Sequence, residues 1–293
     1  MTDPFQGLLA EEFSRNLGWI SPEEQKRLFD TRVAVAGAGG VGGGHILTLA
    51  RLGVGRFSIA DPDRFEKANM NRQLGANIHT LGKNKAEVLA QMVKDINPYA
   101  DVRVFPEGVK PETLEAFLEG VDIYADGIDF YAIDVRRSVF QRAREKGIYA
   151  ITAGPIGFGA TLQIFSPHGM SFDDYFGITD KMSYVEKMSC FVVGIAPNPY
   201  HLTYVDLSKV VVAEKKGHAV SLACTLASSL VTMSVVKIVT GRGDLKCVPH
   251  FLQIDLFRGK FKQAVIWGGA RNPIQKLKKA LFMKKAIGWG LKE

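Results

Sequence analysis

The feature that most constrains the fold is a glycine-rich turn between two short apolar runs, in VAVAGAGGVGGGHILTLARLGVGRFSIADPD from Val33 to Asp63. Where such a turn joins a strand to a helix, its glycines permit a tight bend, close approach of the backbone to phosphate, and close packing of helix on strand. The start of the helix adds unpaired N–H groups that attract an anion. The sequence therefore predicts a nucleotide-binding turn. Four glycines are expected to contact the nucleotide: Gly37, Gly39, Gly40 and Gly42.

The residues after this turn alternate between apolar runs and helical periodicity. The pattern predicts strands at 32–37, 56–61, 101–105, 121–127 and 148–153, with helices at 41–52, 83–96, 111–120 and 134–146. Strands and helices that alternate in this way form a parallel sheet covered on both faces. A strand at 159–167 and a hairpin at 250–267, turning at Arg258-Gly259, follow. The predicted fold class is α/β, a doubly wound, Rossmann-like and mainly parallel sheet with an antiparallel C-terminal extension.

The chain contains no linker-like composition, which predicts a single domain over residues 1–270. Its parts are a helical arm (1–31), a nucleotide-binding core (32–165), a variable substrate or crossover segment (166–218) and a helix with a hairpin (219–270). Residues 168–218 have little periodicity and are interpreted as a long functional loop. Residues 219–240 are apolar, but their hydroxyl side chains favour a core or interface helix over a membrane span.

The cysteine content and the distribution of charge restrict the classes of protein to which the chain can belong. Three scattered cysteines (Cys190, Cys224 and Cys247) provide neither a disulfide framework nor a CxxC metal knuckle. The N-terminus has no pattern of a cleavable signal, and we expect a cytoplasmic protein without a transmembrane segment. The formal net charge of +7 is concentrated in residues 271–293, which carry seven Lys or Arg and one Glu. This tail is typical of an amphipathic helix on anionic lipid, nucleic acid or a partner, and equally of a helix packed on its own domain.

A glycine turn alone leaves two chemistries open, hydride transfer with a nicotinamide dinucleotide and nucleotidyl transfer from ATP. Adenylyl transfer needs cations around the phosphates and a carboxylate to hold magnesium. Such cations follow the turn, Arg72 in NMNRQ and Lys85 in GKNK, and Asp129 in DGID is such a carboxylate; NMNRQ also contains the amides Asn69 and Gln73. Each has an ordinary structural alternative, because Arg72 and Lys85 could be solvated and Asp129 could cap the following helix.

These motifs occur in one order and resemble the adenylation fold of ubiquitin-activating enzymes and their bacterial relatives, the ThiF/MoeB/HesA group. The resemblance covers residues 12–165 and, more loosely, 219–267. It implies that ATP and Mg²⁺ activate a carboxylate, commonly the C-terminal glycine of a ubiquitin-like sulfur carrier, as its acyl-adenylate. The implied roles are ribose binding by Asp61, phosphate contact by Asn69, Arg72 and Lys85, magnesium binding by Asp129, and contact with the triphosphate of the neighbouring subunit by Arg15. The Arg15 match implies a homodimer.

The chain also departs from that group. Two CxxC pairs that often hold a structural zinc are missing, so no zinc is expected. Cys190 lies in the segment where some members carry a reactive cysteine, with Lys187 as the nearest cation in sequence. Because free cysteines are usually buried and inert, thioester formation is the lesser expectation.

The resulting prediction is an ATP-dependent adenylyltransferase that activates a carboxylate on a small protein or peptide and releases pyrophosphate. Three alternatives remain open at this point. The carboxylate could belong to a modified adenosine of tRNA, to which the basic tail would add affinity. The chain could also be an NAD-dependent oxidoreductase or a non-catalytic partner subunit.

Overall fold

The computed structural model describes residues 4–206 and 218–288. The chain divides into two compact units, one formed by Met1–Ile128 with Ser228–Leu245 and the other by Asp129–Ala227 with Lys246–Glu293. The single domain expected over residues 1–270 stays a prediction.

The first unit contains a parallel α/β sheet. Its strands are β1 (Arg32–Ala36), β2 (Arg56–Ala60), β3 (Asp101–Phe105) and β4 (Ile123–Asp126). Its helices are α1 (Pro4–Ala10), α2 (Pro22–Asp30), α3 (Gly40–Leu52), α4 (Lys85–Ile96) and α5 (Leu114–Phe117). The strands lie in the order β3-β2-β1-β4, and every pair is parallel. The predicted elements of this unit are thus confirmed to within a few residues at their ends.

The strand order creates a switch point beside β1. The chain passes from β1 to β2 on one side, whereas β4 pairs with β1 on the other side, so that Val35 lies opposite both Ile59 and Ala125. In open parallel sheets, ligands bind outside the carboxyl ends of the strands at such a point. The glycine turn after β1 and the loop after β4 meet there.

The second unit is mostly antiparallel. Its strands are β5 (Tyr149–Thr152), β6 (Pro155–Ile156), β7 (Gly159–Phe165), β8 (His250–Asp255) and β9 (Lys260–Val265). Within this unit β7 pairs with β5, β6 and β8, and β8 pairs with β9, all antiparallel. The hairpin turns at Gly259, whose φ of +59° suits glycine. The antiparallel C-terminal extension and its turn are therefore confirmed.

The interpretation of residues 168–218 as an irregular loop is wrong over the part that the structure describes. Two helices form there, α7 (Phe172–Phe176) and α8 (Tyr184–Ile195), and residues 207–217 lie outside the described residues. Ser183 and Glu186 form a reciprocal capping box at the start of α8. That Ser-x-x-Glu spacing was a signal for a helix start, but the aromatic composition of the segment obscured it.

The aromatic side chains of this segment form a core. Phe172 and Phe176 have ring centroids 4.5 Å apart, and both rings also lie near Phe165 of β7 and Phe191 of α8. They enclose the core of the second unit together with Phe140 of helix α6 (Ile133–Glu145). For these residues, covering the sheet explains the aromatic content.

Two further helices complete the chain. Helix α9 (Ser221–Thr240) is the one described helix that is long and apolar enough to cross a membrane by length and composition, and 44% of its most apolar window is buried. Within the first unit, the Ser228 hydroxyl donates to the Val41 carbonyl at 3.1 Å, and Val231 and Val235 are fully buried. These contacts agree with the expected core helix. Helix α10 (Pro273–Gly288) lies in the predicted tail, whose Trp289 falls outside the described residues.

We expect His45 on α3 to make folding sensitive to acid. Burial lowers the pKa of His45 from its ordinary value of 6.5 to about 4, against the opposing effect of Asp126. Protons then bind the unfolded chain preferentially between these values, so the free energy of unfolding falls by about 3 kcal/mol as the pH drops from roughly 6.5 to roughly 4. Urea unfolding of the wild type and of His45→Asn over this range measures the difference. His79→Asn, at an exposed histidine, should keep the wild-type dependence, and an unchanged pH profile in His45→Asn would contradict the assignment.

Candidate nucleotide-binding site

The glycine turn is built by three glycines whose backbones touch. Gly37 has a φ of +85°, and a Cβ on Gly37 would lie 2.0 Å from the carbonyl oxygen of Gly127. A Cβ on Gly42 would lie 1.7 Å from the Gly37 carbonyl oxygen, and one on Gly127 would lie 2.7 Å from the Gly42 Cα. No side chain fits at any of these positions. Gly37 and Gly42 therefore form the turn and its packing, while Gly127, which the sequence analysis did not single out, holds the loop after β4 against it.

The other two glycines face a more open region. Gly39 precedes α3 as its N-cap, and Gly40 is the first residue of that helix. Among the described residues, apart from Gly39's chain neighbours, a Cβ on Gly39 would have only the Gln73 amide within 4 Å, with Nε2 at 3.5 Å. Helix starts leave N–H groups without intrahelical acceptors. The backbone at Gly39 and Gly40 is thus accessible to an anion on the side where Gln73 lies.

Gln73 carries a further sign of a binding site. The side chain is buried, and its Oε1 has no hydrogen-bond partner among the described residues. A buried amide oxygen without a partner costs about 1–3 kcal/mol. Its Nε2, beside Gly39, is a donor that suits a phosphate oxygen, and Oε1 suits a ligand hydroxyl or amino group. These properties fit a bound nucleotide.

Asp61 connects strand β2 to the glycine turn. Its Oδ2 accepts the Ala38 N–H at 2.6 Å, and its Oδ1 accepts the Asp63 N–H at 2.8 Å. Burial raises the pKa of Asp61, although both N–H donors and Lys85 oppose that shift. Each carboxylate oxygen keeps a second acceptor position. Asp61 therefore holds the turn and can still accept a hydroxyl of a ribose.

Asn84 positions the lysine that follows it. Its Nδ2 donates to the Asp61 carbonyl at 3.0 Å, while its Oδ1 accepts the Glu87 N–H at 3.1 Å and so caps α4. The Lys85 side chain is only 8% exposed, and its Nζ lies 3.0 Å from Asp63 Oδ2. Lys85 is thus not a solvated surface residue. The Asn-x-x-Glu spacing, which the sequence analysis missed, could have revealed this cap.

Asn69, Arg72 and Gln73 belong to one turn. The Asn69 carbonyl accepts the N–H groups of Arg72 at 3.1 Å and Gln73 at 2.9 Å. Asn69 is buried, and its Oδ1 accepts the Glu66 N–H at 3.0 Å, so the side chain shapes the loop. Arg72 is half-buried, and its Nη1 donates to the Ala68 carbonyl at 3.0 Å and to Asn71 Oδ1 at 2.9 Å. Within the first unit, then, Asp61 is hydrogen-bonded to the glycine turn, Asn84 links the Asp61 carbonyl to the helix that Lys85 begins, and the buried amide of Gln73 lies beside Gly39.

Asp129 is the first residue of the second unit and is described with that unit. It is exposed, its Oδ1 accepts the Tyr131 N–H at 2.9 Å, and its carbonyl accepts from Arg136 at 3.2 Å. Because α6 begins only at Ile133, Asp129 closes a turn before the helix and does not cap it. Among the described residues no three His, Cys, Asp or Glu side chains cluster as metal ligands. A single exposed carboxylate still suits Mg²⁺, which usually takes one or two carboxylates together with phosphates and water.

Cys190 lies in the second unit on α8, beside a cleft of about 340 Å³ that α7, α8 and α10 line. Burial raises the pKa of the thiol, and Lys279 of α10 opposes this shift. Lys187, the nearest cation in sequence, instead pairs with Asp134 at 2.7 Å. A thiol held in its protonated form is a weak nucleophile. Reactivity of Cys190 stays a prediction.

Arg15 lies apart from the glycine turn in the chain's helical arm. It is the middle residue of a short 3-10 helix, Ser14–Asn16, and is exposed. An exposed guanidinium is accessible to another subunit, as the resemblance requires. The role of Arg15 stays a prediction.

Known proteins that share this architecture were found by sequence and by structure. A sequence profile of the ThiF family matches residues 13–273. The chain is 35% identical to the tRNA threonylcarbamoyladenosine dehydratase of Haemophilus influenzae over 138 residues, which are 47% of this chain and 52% of that protein. It is 26% identical to the probable adenylyltransferase/sulfurtransferase MoeZ of Mycobacterium tuberculosis over 258 residues, which are 83% of this chain and 58% of that protein.

Among solved structures, Escherichia coli MccB with ATP matches with a TM-score of 0.64 at 19% identity, over 90% of this chain and 73% of that chain. A likeness at this identity shows the fold. The chain spans about half the length of the curated relatives it matches.

The glycine geometry predicts two separable effects. Gly42→Ala puts a methyl group against the Gly37 carbonyl, and we expect it to lower the free energy of unfolding by more than about 3 kcal/mol. Gly39→Ala meets only the Gln73 amide, so it should cost far less stability and weaken ATP binding at least about tenfold by blocking approach to phosphate. Urea unfolding and titration calorimetry with Mg-ATP measure the two quantities. Gly7→Ala, where no described residue beyond its own helix lies within 4 Å of the added Cβ, should change neither, and equal destabilisation by Gly39→Ala and Gly42→Ala would contradict this geometry.

Proposed function

The chain belongs to the ThiF family, and from that premise we propose that it is an ATP-dependent adenylyltransferase that activates a carboxylate on a small protein or peptide. The reaction joins a carboxylate oxygen to the α-phosphorus of ATP and releases pyrophosphate. The observation that carries the proposal is the glycine turn of the first unit, with the buried Gln73 amide beside Gly39. The nearly buried Lys85 directly follows the Asn84 cap, which binds the Asp61 carbonyl, and its ammonium pairs with Asp63.

The residues of the first unit fit a nucleotide. The N–H groups at the start of α3 and the Gln73 Nε2 donate to phosphate oxygens, and Asp61 accepts a ribose hydroxyl. Lys85 and Arg72 reduce the repulsion between the incoming carboxylate and the phosphates, and they stabilise the charge that grows on the leaving pyrophosphate. Bound ATP supplies the adenylyl group.

Asp63 forms an ion pair with Lys85. The carboxylate is two-thirds exposed, whereas the Lys85 side chain is nearly buried. An ammonium that is buried and paired stays ordered before the nucleotide arrives, which lowers the entropy lost on binding. The Arg72 side chain is also held in position, because its guanidinium donates two hydrogen bonds within its own loop.

The proposal also assigns a magnesium ligand, a contact with a second subunit and a substrate. Asp129 would hold Mg²⁺, and Arg15 would contact the triphosphate of its partner in a homodimer. The relative named adenylyltransferase/sulfurtransferase MoeZ supports a small sulfur-carrier protein as the source of the carboxylate. We also infer that the reaction takes place in the cytoplasm, where ATP is available.

A second candidate function differs only in the substrate. Relatives in Haemophilus influenzae and Bacillus subtilis named tRNA threonylcarbamoyladenosine dehydratase are 35% and 36% identical over about half of this chain. These names favour ATP-dependent activation of a carboxylate on a modified adenosine of tRNA. A tRNA substrate would give binding that weakens steeply with salt, because phosphate contacts release counterions.

Loss of a phosphate-facing cation should slow adenylation specifically. We expect Lys85→Met and Arg72→Ala each to lower pyrophosphate exchange into ATP at least about thirtyfold, which corresponds to about 2 kcal/mol of transition-state stabilisation. The assay contains Mg-ATP, labelled pyrophosphate, and either peptides with a free C-terminal glycine or tRNA that carries the modified adenosine. The productive substrate decides between the two candidates.

Two neighbouring cations serve as matched controls. Lys83→Met replaces an exposed lysine two residues from Lys85, and Arg64→Ala removes a guanidinium that donates to the Gly82 carbonyl at 2.8 Å. Both should retain exchange, and circular dichroism should show all four variants folded. Thermal stabilisation by NAD but not by Mg-ATP would instead reject nucleotidyl transfer in favour of an oxidoreductase.

A further inference from the structure

Helix α10 exposes an apolar stripe that nothing in the proposed reaction uses. Ile274, Leu277 and Leu281 are 62%, 61% and 55% exposed. Their spacing of three and four residues puts them on one face of the helix. We call these three residues the α10 stripe.

The opposite face of α10 is docked on the second unit. Lys279 lies against Cys190 of α8, and Lys278, nearer the border of the stripe, donates from its Nζ to the Pro197 carbonyl at 2.7 Å. Gln275 and Lys279 line the same cleft as Val193 of α8. Because this face packs against protein, the α10 stripe faces outward as a consequence of the fold.

Positive charge surrounds the stripe. Residues 256–292 contain ten Lys or Arg and no Asp or Glu, more positive charge than the formal net +7 of the entire chain. Exposed Lys284 borders the stripe on one side, and exposed Lys276 lies further round the helix on that side, at the cleft. Lys278 lies towards the other border, and its pKa is lowered by burial and by Lys262 of β9. Arg271 pairs with Asp174 at 3.6 Å, whereas the lysines around the stripe carry like charges that an anionic partner would neutralise.

We propose that the α10 stripe and its flanking lysines bind the anionic surface of a lipid bilayer. Aliphatic side chains enter the boundary between headgroups and acyl chains, while lysines pair with anionic headgroups. At 16 residues α10 is shorter than the roughly 20 that span a bilayer, so it lies along the surface. Trp267, 76% exposed, precedes the helix, and its carbonyl accepts from Asn272 at 3.3 Å. Exposed indole side chains are typical of membrane interfaces.

Lipid fits this surface better than nucleic acid does. A phosphate backbone satisfies lysines but leaves three aliphatic side chains in water. A bilayer accommodates both groups, because the aliphatic side chains of the stripe are buried below the headgroups and the lysines pair with anionic headgroups. The inference is independent of the adenylation proposed above, since it uses no residue of the glycine turn.

Vesicle sedimentation with the full chain tests the proposal. We expect binding to vesicles of equal parts phosphatidylcholine and phosphatidylglycerol and no binding to phosphatidylcholine alone. Replacing all three stripe residues by Gln should lower the apparent affinity at least about tenfold, since one buried leucine side chain is worth about that much. Lys276→Gln with Lys284→Gln should lower it by about tenfold or more and reduce the sensitivity to salt.

Ile78→Gln is the matched control, because Ile78 is 72% exposed in the first unit. It should bind vesicles as the wild type does, and thermal unfolding checks that every variant folds. The proposal is overturned if anionic vesicles do not sediment the chain, or if the stripe variant binds them like the wild type. It is also overturned if tRNA or a second copy of the chain occupies the stripe while vesicles stay unbound.

Discussion

The candidate nucleotide site depends on backbone contacts between three glycines, Gly37, Gly42 and Gly127. Their separation leaves no room for a Cβ, so the turn after β1, the first turn of α3 and the loop after β4 can meet only where side chains are missing. The parallel order of β2, β1 and β4 brings these stretches to one edge of the sheet. The lack of space for side chains therefore determines the path of the backbone, independently of the polar contacts.

Polar contacts then hold that path. Asp61 is buried, which disfavours its charged form, yet it accepts two backbone N–H groups and lies near Lys85. Hydrogen bonds to an ionised acceptor are among the stronger ones in proteins. Asn84 binds the Asp61 carbonyl and caps α4 with the same side chain. One carboxylate and one amide thus connect the glycine turn to the helix that carries Lys85, which makes the position of the lysine a consequence of the turn.

Most of the fold could be predicted from sequence because its signals are local. Apolar strands, the glycine turn and the hairpin at Gly259 each depend on residues within a short window. Gly127 was missed because its partners, Gly37 and Gly42, are distant in the chain. Asn84 had a local signal in its spacing to Glu87, but its bond to the Asp61 carbonyl depends on the fold. The segment after Pro167 was misread because its aromatic rings contact one another across α7, α8 and β7, so composition suggested a loop where tertiary packing stabilises helices. Likewise, sequence pointed to Lys187 beside Cys190, whereas Lys279 lies there.

The chain presents positive charge to anions in two physically different ways. In the first unit Lys85 is nearly buried and paired with Asp63, and backbone N–H groups at the start of α3 supply further donors. Such short, directional contacts select a ligand by shape and are weakly screened by salt. On α10 Lys278 and Lys279 are half-buried, whereas Lys276 and Lys284 are exposed, separated along the helix and interleaved with aliphatic side chains. Their attraction is long-ranged and non-directional and falls within a Debye length, about 8 Å at physiological salt, so it suits an extended anionic surface. The Lys85 site and the α10 surface would therefore bind different ligands even at equal net charge. Buried, closely held groups select a ligand by shape, whereas exposed, separated lysines attract an extended anionic surface.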